Sequence, residues 1–387
     1  MPEAVIVDAV RTPIGRAFKG SLAGLRPDEM GAFVLDALME RNPGVDPALI
    51  EDVYCGVGLP QGLQGFNLAR IMVLLSDSLP QEVNGATISR YCASSLESIR
   101  QAANAVVAGQ GDAYIAAGVE WVSRYNESVE GARPQDRNEH LVGKDGDPDA
   151  YIAMGLTAEN VAERYEVSRA DMDKYAQRSQ ELAVASQENG YFDREIVPVT
   201  LPDGAVVSKD DGPRPSSTLE KLAELDPAFR EDGKITAGNS CPLNDGAAAV
   251  LVMSDSKADE LGLAPRARII TAATAANEPE YMGVAPIWAI RKVLERAGMT
   301  IDDVDTVELN EAFAAQVIPI MAECDIPLEK LNPHGGAIAL GHPFGMAGAR
   351  IMTTLLNGLE TDDRTIGLET MCVAGGQGQA MLVERLG

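Results

Sequence analysis

The sequence predicts an α/β protein made of two related halves, with a long segment inserted between them. Strand-like and helix-like segments alternate along most of the chain, which favours sheets covered by helices. The sequences IEDV at 50–53 and IDDV at 301–304 are similar, and 301 lies 251 positions after 50. The same offset places Cys92 opposite Pro343 and residues 114–115 opposite 365–366, so it relates three successive elements.

Each half should form a mostly parallel sheet. We assign residues 1–119 to the first half, completed by residues 244–265, and residues 266–387 to the second. In SRYCASSLESIRQAANAVVAG (89–109), a strand end leads into a helix with N-cap candidates Ser94 and Ser95. Its apolar face has helical spacing and comprises Leu96, Ile99, Ala103 and Val106. A pseudo-twofold axis would bring this helix beside its counterpart, and Cys92 near His342.

The inserted segment, residues 120–243, is predicted to form a separate loop domain. It begins with a polar stretch at 128–149 that lacks apolar periodicity and should lie on the surface. A helical stretch follows at 157–190, which Gly190 ends, and then a loop with a helix start at 208–225. A buried strand ends the stretch at 235–254 and should complete the first half. Insertions of this length usually carry binding function.

Composition narrows the class of protein. The 387 residues are 45% apolar and carry a formal net charge of −26. Such a chain can bury a large core in two or three domains, and its charge argues against nucleic-acid or anionic-membrane partners. Five scattered Cys without a CxxC pair fit a reducing cytosol. A strand-like N-terminus, with no signal or transit peptide and no long apolar stretch, predicts a cytoplasmic protein without membrane insertion.

Two of the cysteines are placed for chemistry. Cys92 precedes a predicted helix, where free N–H groups and the helix dipole would stabilise a thiolate. Cys372 comes directly before a glycine-rich turn that could approach a ligand closely. From these residues alone, each could instead be a small buried apolar residue. We interpret Cys55, in a strand, and Cys324, at a helix end, as buried apolar residues without a chemical role.

The other candidate residues are a histidine and an asparagine. Two of the three histidines lie in NPHGGAIALGHPFG, and His342 could be a capping, core or catalytic residue. No Cys or carboxylate lies at ligand spacing around them, so we predict no metal site. Asn310 and Glu311 follow a buried strand, which favours either a helix cap or an active-site group.

The chain resembles the thiolases, the acetyl-CoA C-acyltransferases, over nearly its full length. The resemblance rests on seven motifs in the family's order: RTPIGR, RYCASSLESI, MGLTAENVA, TAGNSCPLNDGAA, NEAFAAQ, NPHGGAIALGHPFG and MCVAGGQG. It implies two duplicated βαβαβαββ halves that form a layered α/β core, with a loop domain between them that binds coenzyme A. It also implies a ping-pong acyl exchange through an acyl-cysteine.

The resemblance assigns roles to individual residues. Cys92 would be the nucleophile, activated by His342 and the helix N-terminus, and Cys372 would be the acid and base at carbon. His342 and a water held by Asn310 would stabilise the enolate, and the backbone N–H groups of Cys92 and Ala374 would form a second oxyanion hole. Further contacts with substrate or coenzyme A would come from Met154, Arg214, Ala237, Cys241, Met282, Phe313 and His334.

Some departures from the family pattern bear on these roles. Thiolases commonly have Gly at the position of Ala374, Ser at that of Cys241, and, in short-chain biosynthetic members, His at that of Ala153. At Ala374, a φ above zero would be strained. CASS and the histidine motif favour the degradative branch, so we expect thiolysis of 3-ketoacyl-CoA in fatty-acid β-oxidation.

Several alternatives remain. The chain could be a biosynthetic acetoacetyl-CoA thiolase or a steroid side-chain thiolase. A thiolase-like scaffold or lipid-binding protein would lack Cys92, His342 or Cys372, and all three are present. Coenzyme A and acyl-CoA would be substrates, with no permanently bound cofactor. The family's habits also predict a homodimer or homotetramer, and a hydratase–dehydrogenase subunit is a possible partner.

Overall fold

A computed structural model describes residues 2–123 and 137–387. Ten of its strands form one sheet, in the order β10-β11-β12-β9-β1-β8-β5-β3-β4 with β2 beside β8, while β6 and β7 form a separate pair. The strands are β1 (Ala4–Arg11), β2 (Gly15–Arg16), β3 (Ile50–Val57), β4 (Asn84–Ile88), β5 (Ala113–Trp121), β6 (Val199–Thr200), β7 (Val206–Val207), β8 (Asn244–Ser254), β9 (Ala267–Ala276), β10 (Thr306–Leu309), β11 (Ile366–Val373) and β12 (Gln377–Arg385).

Helices cover the sheet, and three of those that the structure describes lie in the insertion. In chain order they are α1 (Pro27–Arg41), α2 (Leu68–Leu75), α3 (Ser94–Val107), α4 (Met154–Arg164), α5 (Arg169–Glu188), α6 (Leu219–Ala223), α7 (Asp255–Glu260), α8 (Pro286–Ala297), α9 (Ala314–Glu323), α10 (Ala337–Leu340) and α11 (Ala347–Thr361). In the described ranges, no helix is long and apolar enough to cross a membrane.

The sheet displays the duplication. In the first half β3 is parallel to β5, β5 antiparallel to β8, and β8 antiparallel to β1. In the second half β10 is parallel to β11, β11 antiparallel to β12, and β12 antiparallel to β9. The halves join where β1 pairs with β9. The expectation of mostly parallel sheets is wrong, because β12 is antiparallel to β11 and β9, and β8 is antiparallel to β5 and β1. The turn at 374–376 accounts for one of these pairs, since so short a link permits only antiparallel pairing.

The equivalent helices α3 and α11 pack together at the centre, as the duplication predicts. A Cβ on Gly348 would lie 2.3 Å from the backbone nitrogen of Leu96, so this contact requires glycine. The predicted apolar face of α3 lies in the same buried cluster as Ile351 and Leu355 of α11. Ala347 follows Ser94 by 253 positions, and β11 follows β5 by the same number. The offset of 251 is therefore wrong by two residues, and Cys92 corresponds to Gly345 rather than Pro343.

The insertion differs from its prediction in detail. The single helical stretch expected at 157–190 is two helices, α4 and α5, because Ser168 caps a new helix by accepting from the N–H of Asp171. Gly190 follows the second helix with a φ of +79°, as its stop signal indicated. Part of the predicted polar surface stretch, residues 128–136, lies outside the described residues.

Candidate active site

Cys92 lies in a tight 3-10 turn, Tyr91–Ala93, that runs directly into α3. Tyr91 has a φ of +43°, so the turn holds a bulky residue in the left-handed region at some energetic cost. The N-cap is Ala93, so the prediction that Ser94 or Ser95 caps the helix is wrong. Ser94 instead accepts from the N–H of Arg90 at 2.9 Å and donates to the carbonyl of Tyr91 at 2.6 Å, which closes the turn. Ser95 accepts from the N–H of Ala349 at 2.9 Å.

The expected thiolate at Cys92 is not supported by its surroundings. Burial raises the pKa of the Cys92 thiol well above its ordinary value, and Cys372, Cys241 and Glu120 raise it further. Its own backbone N–H lowers the pKa, but this effect is smaller than that of burial. These surroundings favour a neutral thiol, which has to lose its proton as it reacts.

Cys372 lies near the end of β11 and is fully buried. The amide Nε2 of Gln316 donates to its Sγ at 3.1 Å and lies 3.4 Å from the carbonyl oxygen of Asn310. Burial raises the pKa of Cys372 to about 11, although the Gln316 hydrogen bond acts in the opposite direction. The thiol is therefore a weak acid, and a hydrogen bond from the side-chain amide of Gln316 fixes the position of its sulfur.

His342 lies on the loop that precedes α11. Its Nε2 is 3.3 Å from Asn310 Nδ2, and its backbone N–H donates to Asn244 Oδ1 at 3.0 Å. Burial, followed by the Arg350 guanidinium, lowers the pKa of His342 to about 3. The ring is therefore a neutral imidazole, and Nδ1 finds no partner among the described residues. Because Asn310 Nδ2 can only donate, Nε2 is the acceptor and the basic nitrogen of the neutral ring, while Nδ1 carries the ring proton.

The chemical groups of the two halves lie close to one another. Cys372 and Cys241 both act electrostatically on Cys92, which requires the three thiols to be close. Asn310 reaches the same place because its N–H donates to Thr370 in β11 at 3.0 Å. Its side-chain Oδ1 has no partner among the described residues. The two thiols and the imidazole can thus transfer protons, and the Asn310 amide can hydrogen-bond, near one another.

The turn after Cys372 does not strain Ala374. The positive φ angles fall on Gly375 and Gly376, at 79° and 75°, whereas Ala374 is not among the residues with positive φ. A Cβ on Gly376 would lie 2.2 Å from the carbonyl oxygen of Asn277, so the turn packs closely against that loop. The concern about alanine at position 374 is thereby removed.

Four predicted substrate contacts share one apolar cluster with Cys372, namely Met154, Cys241, Met282 and Phe313. Phe313 packs edge-on against Phe229 at 6.1 Å between ring centroids. Met154 opens α4, with Ala153 as its N-cap, so the loop domain contributes to this wall. The cluster provides an apolar surface beside the thiols.

Two other predicted contacts, Arg214 and Ala237, line a cleft of about 240 Å³ in the loop domain. Arg214 is exposed, and its backbone N–H is fixed by donation to Gln180 Oε1 at 2.8 Å. Burial of part of the side chain and the neighbouring Arg16 lower the pKa of Arg214. A second cation therefore lies near the cleft, which provides local positive charge in an acidic protein.

His334 is not among the groups that contact Asn310 and His342, and its predicted contact with substrate stays a prediction. Its ring stacks on Tyr191 at 3.7 Å between centroids, and its Nε2 lies 3.5 Å from Asp362. Asp362 follows the C-terminal end of α11, a helix about 22 Å long that begins beside the His342 loop. The His334 imidazole therefore packs beside the C-terminal end of this helix. Glu311 is also structural, since it accepts from Tyr175, Ser179 and Asn332.

Sequence reasoning missed three residues that hold the site together: Asn244, Gln316 and Glu120. Asn244 and Gln316 lie within two of the quoted motifs, and Gln316 follows Asn310 by six positions. Their polar side chains, close in sequence to candidate catalytic residues, were the signal that could have identified them. Glu120 is a lone carboxylate in an apolar strand, a placement that is costly unless the charge is partnered. In the ranges that the structure describes, no His, Cys, Asp or Glu cluster could hold a metal ion.

Comparisons with known proteins agree with this geometry. The chain matches the family models of the thiolase N-terminal domain over residues 4–256 and the thiolase C-terminal domain over residues 263–385. It is 43% identical to a beta-ketoadipyl-CoA thiolase of Acinetobacter baylyi, covering 100% of both chains. It is 41% identical to a 3-ketoacyl-CoA thiolase of Bacillus subtilis, over 99% of this chain and 100% of the relative. The dimeric peroxisomal thiolase of Saccharomyces cerevisiae superposes with a TM-score of 0.93 at 38% identity, over 100% of this chain and 98% of that one.

Proposed function

The chain belongs to the thiolase family of acyltransferases, and on this premise we propose that it cleaves 3-ketoacyl-CoA by thiolysis. The products are acetyl-CoA and a shortened acyl-CoA. The proposal is supported by the electrostatic interaction between Cys92 and Cys372, by the Gln316 amide that lies between Cys372 and Asn310, and by the 3.3 Å contact of Asn310 with His342. A cysteine nucleophile suits this exchange because its acyl product is again a thioester, which stays reactive toward the next thiol.

The first half-reaction forms the acyl-enzyme. The sulfur of Cys92 attacks the 3-keto carbon, and its proton passes to the neutral His342 ring as the new carbon–sulfur bond forms. The bond between the second and third carbons then breaks and releases the acetyl-CoA enolate. Hydrogen-bond donors at the His342–Asn310 pair stabilise the enolate oxygen. Cys372 gives its proton to the enolate carbon and becomes a thiolate, which the amide of Gln316 stabilises.

The second half-reaction restores the enzyme. The thiol of coenzyme A gives its proton to the Cys372 thiolate and attacks the acyl carbonyl on Cys92. The Cys92 sulfur leaves and takes back the proton that His342 has held. The backbone N–H groups of Cys92 and Ala374 are placed in this proposal at the carbonyl oxygen of the acyl-enzyme. All three groups return to their neutral forms, so the cycle needs no permanently bound cofactor.

Substrate class is the finer part of the proposal. Fatty-acid β-oxidation would require straight-chain 3-ketoacyl-CoA as the substrate. The relatives named 3-ketoacyl-CoA thiolase support this candidate. The beta-ketoadipyl-CoA thiolases are 43–44% identical to this chain, against 41–44% for the 3-ketoacyl-CoA thiolases, and favour a second candidate whose acyl chain ends in a carboxylate. Acetoacetyl-CoA synthesis and steroid side-chain cleavage remain alternatives. The cytoplasmic location, the homodimer or homotetramer and the hydratase–dehydrogenase partner stay predictions.

One kinetic series tests the proposal. We expect kcat/KM for thiolysis to be measurable with a series of 3-ketoacyl-CoA chain lengths that includes acetoacetyl-CoA, 3-ketohexadecanoyl-CoA and 3-ketoadipyl-CoA. A preference for long chains supports β-oxidation, and a preference for the dicarboxylic substrate supports the second candidate. Absence of thiolysis with the whole series, in a folded protein, would contradict the proposed function.

Arg214→Ala should weaken coenzyme A binding with little effect on the chemical step. The nucleotide end of coenzyme A is remote from the bond that changes, so we expect KM for CoA substrates to rise roughly 3- to 30-fold with kcat nearly constant. Because the contact is exposed, added salt should reduce the difference. Lys209→Ala removes the same charge from an exposed residue outside the cleft and serves as the control. Equal KM values for Arg214→Ala and the parent at low salt would remove Arg214 from the binding site.

A further inference from the structure

Glu120 is a buried carboxylate at the meeting point of three loops. It is the penultimate residue of β5 and has no exposed surface. Its Oε2 accepts from the N–H of Gly58 at 2.8 Å and from the N–H of Gly345 at 2.7 Å. Its Oε1 accepts from Gln64 Nε2 at 2.6 Å. These donors come from the loop after β3, the 3-10 turn Gly62–Gln64 and the loop that carries His342.

The groups that contact the Glu120 carboxylate are N–H donors, so they are arranged for its ionised form. Among the described residues no cation forms an ion pair with Glu120, and its charge is balanced by N–H groups alone. A protonated carboxyl would direct its hydrogen at one of these donors and lose that bond. Hydrogen bonds to a charged group contribute more than neutral ones, which makes this a strong clamp between loops.

The clamp leads directly to the catalytic histidine. A Cβ on Gly345 would lie 2.3 Å from the carbonyl oxygen of Val119, so the loop is pressed onto the end of β5. A Cβ on Gly58 would lie 2.7 Å from the Cβ of Phe344, which places the β3 loop against the preceding residue of the histidine loop. The ring of Phe344 in turn contacts the His342 ring edge-on, with 5.2 Å between centroids.

We propose that Glu120 is a positioning residue for the reaction proposed above: its ionised carboxylate holds residues 342–345 against the ends of β3 and β5 and so places the His342 ring beside Cys92. Glu120 itself does not touch the reacting atoms. The inference rests on the proposed function for its kinetic consequence, whereas the clamp is a property of the free protein.

Protonation should release the clamp at a pH where the enzyme can be assayed. Burial raises the pKa of Glu120 to about 7, against the lowering effect of its hydrogen bonds. Of the ionisable groups that interact with it, Cys55 on β3 and Cys92 are thiols with raised pKa and stay neutral in this range. The carboxylate is ionised above about pH 7, so kcat should fall as the pH decreases through this value.

The test compares Glu120→Gln with the exchanged pair Glu120→Gln/Gln64→Glu. The single variant turns an amide NH₂ toward Gln64 or toward the loop N–H groups, so one hydrogen bond is lost. In the exchanged pair, the carboxylate introduced at position 64 can accept from the amide introduced at position 120. It can also accept from the backbone N–H of Trp121, which donates to Gln64 Oε1 in the parent. The carbonyl oxygen of the amide at position 120 is then free to accept from Gly58 and Gly345.

Two readouts separate this inference from the proposed function. By hydrogen–deuterium exchange at pH 8, the peptide that spans residues 342–346 should exchange at least about 10-fold faster in Glu120→Gln and recover in the exchanged pair, with a peptide from α5 unchanged. In steady-state kinetics, Glu120→Gln should lower kcat roughly 10- to 100-fold with KM little changed and lose the acidic limb near pH 7, while the exchanged pair regains activity. Unchanged exchange in the single variant would overturn the clamp whether or not the protein is a thiolase. Altered exchange with unchanged kcat in an active enzyme would overturn the catalytic consequence alone.

Discussion

Cys372→Ala should still accept an acyl group at Cys92 but should lose thiolysis of 3-ketoacyl-CoA by about 10²- to 10⁴-fold in kcat. In thiolysis the Cys372 thiol, which accepts a hydrogen bond from Gln316, protonates the enolate carbon and then takes the proton of coenzyme A. Acylation of Cys92 by a simple acyl-CoA breaks only a carbon–sulfur bond and requires no proton at carbon. We therefore expect the two activities to separate because only thiolysis needs a proton transfer at carbon, and not because the fold is disturbed.

The measurement combines two assays of the same preparation. Incubation with acyl-CoA in the absence of free coenzyme A, followed by peptide mass mapping, should locate the acyl group on Cys92 in both the parent and Cys372→Ala. Cys324→Ala is the matched control, because Cys324 is also a buried thiol but ends α9 away from the pocket. It should keep full thiolysis. An acyl group on Cys372, or equal loss of acylation and thiolysis in Cys372→Ala, would contradict the assignment of roles.

Much of the fold follows from local sequence because the duplicated elements have local signals. The apolar face of α3 and the glycine that ends α5 are set by neighbouring residues, so helix periodicity and stop signals predict them. Strand direction depends on contacts between distant segments. β8 lies more than 120 residues after β5 yet pairs with it antiparallel over nine residues, which alternation of elements could not indicate.

The site was predictable as a set of chemical groups, but their protonation was not. The two thiols, His342 and Asn310 come from motifs, whereas their pKa values depend on burial by residues from both halves. A helix N-terminus suggested a thiolate at Cys92, yet desolvation outweighs that effect. His334 shows that a shared motif does not fix where a side chain lies. It lies in the same short motif as His342, but α10 lies between them and the His334 ring contacts Tyr191 and Asp362.

His342→Asn should abolish both half-reactions, unlike Cys372→Ala. Without the imidazole, nothing at this position accepts the Cys92 proton during attack or returns it when the acyl group leaves, so acylation and thiolysis should both fall roughly 10²- to 10⁴-fold. Asparagine keeps a polar side chain of similar size beside Asn310, which limits the cavity left in the buried site. His140→Asn makes the same substitution at an exposed histidine of the loop domain and should leave both rates unchanged.

The pH dependence distinguishes His342 from Glu120. With its pKa lowered to about 3, His342 is neutral throughout the usual assay range and becomes charged only in strong acid. It should therefore contribute no acidic limb between pH 5 and 8, so any limb near pH 7 in the parent belongs to another group. Rapid-quench measurement of Cys92 acylation from pH 5 to 9, in the parent and in Glu120→Gln, checks this. A limb near pH 6.5 that persists in Glu120→Gln would indicate a histidine that titrates normally, and the neutral-imidazole mechanism would then be wrong.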